Sequence, residues 1–134
     1  MPIHYAIDPG HDVVLVEMVG AVGPGEVLAF LERLALEPAL RPGMPQLVDC
    51  GRMKTPPTVA ASESVAEGFA RLKPRFGGAR CAVVVADALM YGAMRQFSAL
   101  AMQAAVEVRP FLGVAAARAW LAIPDAGTED GTST

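Results

Sequence analysis

Arg80-Cys-Ala-Val-Val-Val-Ala-Asp87 is an apolar run that closes on an aspartate. A helix-like segment opens near Tyr91-Gly92, a second short run follows at Glu107-Val-Arg-Pro-Phe111, and an amphipathic piece ends at Ala119-Trp-Leu121. In order these read as strand, helix, strand and helix. Strands joined through a helix run parallel in one sheet, so this stretch predicts an α/β domain with a parallel sheet, against which the rest of the chain can be read. Met90, Met94, Phe97, Ala101 and Ala104 recur at helical spacing and form the stripe expected to pack on that sheet.

Upstream, Ile3 to Ile7 and the β-branched run Val13 to Val19 flank Asp8-Pro-Gly-His-Asp12, a hairpin signal. Apolar residues on both faces of the second run predict an interior strand covered on both sides. Gly20 to Gly25 is a loop. Pro24 and Glu26 suit a helix start, and Val27, Leu28, Leu31, Leu34 and Ala35 continue a first helix that stops before Pro38. Gln46-Leu-Val-Asp49 reads as a short strand broken by Gly51. Thr55-Pro-Pro-Thr58 marks a second helix start, and that helix carries Val65, Ala66, Phe69 and Leu72 inward and ends by Pro74. The predicted order is β-β-α-β-α-β-α-β-α in one domain over 1–123, with a mixed, mainly parallel sheet. The small, polar residues 124–134 are expected to be a disordered tail.

The chain has 134 residues, enough for one core. It is 53% hydrophobic and 19% charged, against about 25% charged in typical soluble domains, so part of its apolar surface is expected to lie between subunits, as in a homodimer. Its apolar runs fall short of the roughly 20 residues of a membrane span, and the start carries no basic-then-apolar leader pattern; a cytoplasmic location is the expectation. A net charge of −3 without a basic stripe argues against nucleic acid as a partner. Cys50 and Cys81 fall at opposite ends of neighbouring strands, roughly 15 Å apart, too far to bridge. Two scattered histidines and two separated cysteines match no zinc spacing, and no cofactor is implied.

The order and spacing of these elements over residues 3 to 121 resemble the SpoIIAA-like fold of STAS domains (sulfate transporter and anti-sigma-factor antagonist), and in particular its branch of small stand-alone uncharacterised bacterial proteins. Four stretches carry the resemblance: Gln46-Leu-Val-Asp49, Arg80 to Asp87, the Tyr91-Gly92 helix start, and Val106-Glu-Val-Arg-Pro-Phe111 with Ala119-Trp-Leu121. It implies a single α/β domain acting as a non-catalytic interaction or regulatory module. Anti-sigma-antagonist STAS proteins carry a phosphorylatable serine in an Asp-Ser-Ser-like motif before the second helix. Here the region reads Met53-Lys-Thr-Pro-Pro-Thr58, so that role does not carry over to Thr55 or Thr58 by any match.

Ligands of parallel α/β sheets gather beyond the carboxyl ends of the strands. That edge offers Asp49, Arg52, Lys54, Thr55 and Thr58 as a possible anion site, which a solvated loop with a capping threonine explains as well. Asp87 reads as a helix cap. Tyr91 and Arg95, with Ser98 and Met102, make a mixed aromatic, cationic and apolar face suited to a ligand or partner contact. Arg71, Lys73, Arg75 and Arg80 read as a solvated rim at the opposite edge. Three functions follow: protein contact through the third helix; binding of a small apolar or anionic, lipid-like ligand in a cavity lined by Met, Leu and Phe, as in the related CRAL-TRIO domains; and, weakest, an enzyme using Cys50 or Asp49, for which neither His4 nor His11 supplies a placed base.

Overall fold

A computed structural model describes residues 2–123; the expected tail over 124–134 lies outside the described residues. β1 (Ile3–Asp8) and β2 (Val13–Gly20) form the hairpin. Asp8 holds its turn: one carboxylate oxygen accepts from the backbone N–H groups of Gly10 and His11, and the other meets His11 Nδ1 at 2.8 Å. The hydrogen bond from His11 draws the Asp8 carboxyl below its ordinary value.

The chain continues through α1 (Pro24–Ala35), β3 (Gln46–Met53), α2 (Val59–Arg71), the four-residue α3 (Lys73–Phe76), β4 (Arg80–Val84), α4 (Ala88–Ala101), a short 3₁₀ turn (Met102–Ala104), β5 (Glu107–Phe111) and α5 (Val114–Leu121). The sheet order is β1-β2-β3-β4-β5, with only β1 antiparallel to its neighbour. The expected mixed, mainly parallel α/β architecture is observed. Because β2 to β5 advance in one direction and such crossovers are right-handed, α1, α2 and α4 share one face. The main core lies there, built on Val14, Val16, Phe30, Leu31, Leu34, Phe69, Phe76 and Val83. α5 turns back over the other face, where Ala117 and Leu121 meet Val13, Leu47 and Ala82, and Trp120 packs on Phe111.

Three boundaries and two burial expectations change. β3 does not stop at Gly51; it runs to Met53, with an irregularity against β2 between Glu17 and Val19. α4 opens at Ala88, directly after its cap Asp87, rather than near Tyr91. Pro74 begins a new turn, α3, so the helix read as third in the sequence is α4. β2 is interior, and Val14 and Val16 are buried on its helix-side face, yet its other face is covered only in part. On the other face the single helix α5 sits over β3 to β5 and leaves Leu15 and Glu17 half-exposed beside the exposed His4 and Ala6.

The basic rim is also not merely solvated. Arg75 reaches back over the α1–β3 connection, its Nε donating to Ala35 O at 2.9 Å and its terminal nitrogen to Leu40 O at 2.9 Å and Glu37 O at 3.4 Å. Arg80 lies over the Trp120 ring at 5.0 Å and donates to Trp120 O at 3.0 Å. Side-chain reach, which no linear pattern shows, turns both arginines into fasteners between distant segments.

Candidate functional site

α1 and α2 approach closely at Gly68, where an added Cβ would come 2.3 Å from Leu28 Cδ2. Below that contact the two helices leave a gap over the sheet. It is a cavity of about 100 Å³, walled by Val27, Phe30 and Leu31 of α1, Ala61, Ser62, Val65 and Phe69 of α2, and Met94 and Phe97 of α4. Its floor is Met18 of β2, Gln46, Val48, Cys50 and Met53 of β3, and Cys81 and Val83 of β4. Strand alternation decides the floor: Gln46, Val48 and Cys50 share the helix side, and Leu47 and Asp49 take the other. The cavity follows β3 from Gln46 at its buried start to Met53 at its half-exposed end. It is most open at the carboxyl edge, where Gly23, Pro24 and Pro57 line it.

Its lining contains no Asp, Glu, Lys, Arg or His. Its polar side-chain groups are the Gln46 amide and the Ser62 hydroxyl, both buried, besides the two thiols. Gln46 is 1% exposed, and its Nε2 is buried without a hydrogen-bond partner among the described residues. In register it lies between Val14 of β2 and Cys81 of β4, neither of which asks for an amide. Leaving a buried donor unpaired costs about 1–3 kcal/mol. Gln46→Met, which keeps the volume and removes the donor, is therefore expected to raise stability by about 1 kcal/mol, or roughly 4 °C in Tm, measured by thermal and urea unfolding.

The two thiols are buried and free. Burial, with Cys81 and Asp49 adding to it, pushes Cys50 up to about 12, and burial alone pushes Cys81 up to about 12. Both are protonated at neutral pH, which does not fit a thiolate nucleophile, and His4 lies on the face of the sheet away from Cys50. Unfolded, the thiols ionise near 9.0. Their contribution is thus complete below pH 9 and is lost as pH rises from 9 toward 12. Stability should fall over that window, and fall less in a Cys81→Ala variant; at pH 8 a thiol reagent should label both cysteines in urea at least 100-fold faster than in the folded protein.

The nine residues singled out in the sequence do not line the cavity. Asp49 is exposed on the α5 side and accepts from Gly51 N at 2.9 Å. Arg52 is 3.7 Å from Glu17 in an exposed pair, and Lys54 and Thr55 are exposed at the edge. Thr58 caps α2 by accepting from Ala61 N at 3.1 Å, and Asp87 caps α4 by accepting from Met90 N at 2.9 Å. Tyr91 packs half-buried against the core, whereas Arg95 and Met102 are exposed. Ser98 turns away from that face and donates to Val108 O at 2.6 Å. Gln46 is the site residue that sequence reasoning misses. Its signal is present all the same: a glutamine at the inward parity of a strand whose other inward residues, Val48 and Cys50, are apolar.

No family model matches the chain, and no curated protein does. Among solved structures, it is similar to an uncharacterised protein of the DUF3478 family with a SpoIIAA-like fold from Shewanella loihica PV-4, at a TM-score of 0.60 and 19% identity, over 89% of this chain and 93% of that one. The chain has a SpoIIAA-like fold. In this SpoIIAA-like domain Thr58 and Asp87 of the carboxyl edge, where the sequence offers an anion site or a solvated loop, cap helices and its other polar side chains are exposed, while the apolar cavity lies on the helix side. Among the described residues no helix is long and apolar enough to cross a membrane, and no group of three or more His, Cys, Asp or Glu is placed to hold a metal.

Proposed function

We propose that this protein is a non-catalytic binding module that takes up a small apolar molecule between α1, α2 and the sheet. The observation that carries the reading is the cavity itself: concave, apolar, open at the carboxyl edge of the strands, and built partly of Met18, Met53 and Met94, whose flexible thioethers adapt to varied shapes. Native mass spectrometry of freshly purified protein tests it. A mass excess that is released on denaturation, or uptake of N-phenyl-1-naphthylamine by the emptied protein, supports the reading. A clean apo mass together with no uptake of the probe contradicts it.

A second reading, protein contact through α4, has its own observation. Leu89, Gly92, Gln96, Ala99 and Met102 form an exposed stripe at helical spacing, with Leu89 and Met102 each 71% exposed. Large apolar side chains at the two ends of an uncovered stripe, with the small Gly92 and Ala99 between them, favour a partner or a second copy, as a homodimer would supply. Light scattering after size-exclusion chromatography should show a dimer that Leu89→Glu with Met102→Glu converts to monomer; a strict monomer at high concentration counts against it.

A further inference from the structure

The geometry points to Gln46 as the anchor of a neutral, largely apolar ligand that carries one hydrogen-bond-accepting oxygen, such as a carbonyl. This rests on the reading of the cavity as a small-molecule site and specifies what enters it. Gln46 stands at the buried end of the cavity, and its Nε2 has no partner among the described residues. No neighbour in the register uses the amide, so the fold gains nothing from it that a methionine would not supply. Nε2 has almost no accessible surface of its own, so it meets a ligand through a turn of the Gln46 side chain, and an unpaired donor gains from the acceptor it then meets.

The class of ligand follows from what else lines the space. No charged side chain faces it, so an ionised group brought to the floor would lose its hydration without a counter-charge. The ligand is neutral there. A buried water needs two to four polar partners, and besides the Gln46 amide the side chains lining the cavity offer only the Ser62 hydroxyl and the two thiols, whereas a carbonyl needs the one donor. The size is also limiting. A volume of about 100 Å³ compares with the roughly 150 Å³ that accepts benzene, so the cavity takes a unit of a few carbons, and anything longer runs along β3 toward Met53 and Pro57. Turning the amide by half a turn exchanges its oxygen and nitrogen; a ketone, which only accepts, selects the donor orientation.

The test uses 2-pentanone and n-hexane, which have equal heavy-atom counts, titrated into ¹⁵N-labelled wild-type protein and Gln46→Met. The expected result is that 2-pentanone shifts the Gln46 side-chain NH₂ resonances of the wild type and binds the variant about tenfold more weakly, while n-hexane binds both proteins alike. Unmoved Gln46 resonances with the ketone bound overturn the anchor and leave the cavity reading standing; that signal is read in the wild type, so it does not depend on the variant folding. Failure of both probes to bind overturns the cavity reading and the anchor with it.

Discussion

Replacing Phe30 with alanine will lower stability by about 3–5 kcal/mol, a drop of roughly 12–20 °C in Tm for a domain of this size. Phe30 is 2% exposed, stands edge-on to Tyr5 with ring centroids 5.3 Å apart, and forms part of the cavity wall. The loss therefore adds a new void to an existing one. Cost rises with residual void volume, at about 24 cal/mol per Å³, and a wall already facing empty space has little with which to collapse. The Tyr5 hydroxyl, which donates to Glu37 at 2.5 Å, also loses its packing support; that hydrogen bond is what holds the phenol above its ordinary value. Urea unfolding of Phe30→Ala checks the magnitude, and a loss under 1 kcal/mol would show that the region packs otherwise than described.

Arg75→Met is expected to cost about 2–3 kcal/mol, more than any other substitution of a charged residue here. Hydrogen bonds from a charged donor are worth about 1.5–3 kcal/mol, and one guanidinium serves the carbonyls of Ala35, Glu37 and Leu40. Methionine keeps much of the apolar stem and removes the fork, leaving those carbonyls at the end of α1 and in its connection without their donor. Arg71→Met, one helical turn earlier on an exposed position, should change stability by less than about 0.5 kcal/mol. Comparing the two by urea unfolding separates a fastening arginine from a solvated one; equal effects would contradict the role assigned to Arg75.

The architecture is readable in the chain because each element carries its own local signal. The Cys81–Ala86 run and the Met90, Met94, Phe97, Ala101 stripe could hardly be placed otherwise, and their alternation implies parallel strands with helices packed on them. Arg75 escapes a sequence reading because its partners lie 35 to 40 residues away, and a rim of cations looks the same in sequence whether it is solvated or bound. The candidate edge from Asp49 to Thr58 gathers polar residues in sequence that strand parity and capping then disperse: Asp49 to the far face, Thr58 to the helix start. A cavity is a shortfall in packing between elements distant in sequence, here α1, α2, α4 and the sheet, and no motif spells it. The one local clue to it is the inward glutamine.

Entry of an apolar molecule between α1, α2 and the sheet is tested most directly through the methionine methyl groups. Met18, Met53 and Met94 line the cavity, whereas Met44 and Met90 are buried away from it and Met102 is exposed on the outer face. With ¹³C-methyl methionine and n-hexane as probe, the expected result is saturable shifts of Met18, Met53 and Met94 with Met44, Met90 and Met102 unmoved. Shifts absent from all six, or confined to Met102, would contradict binding in the cavity.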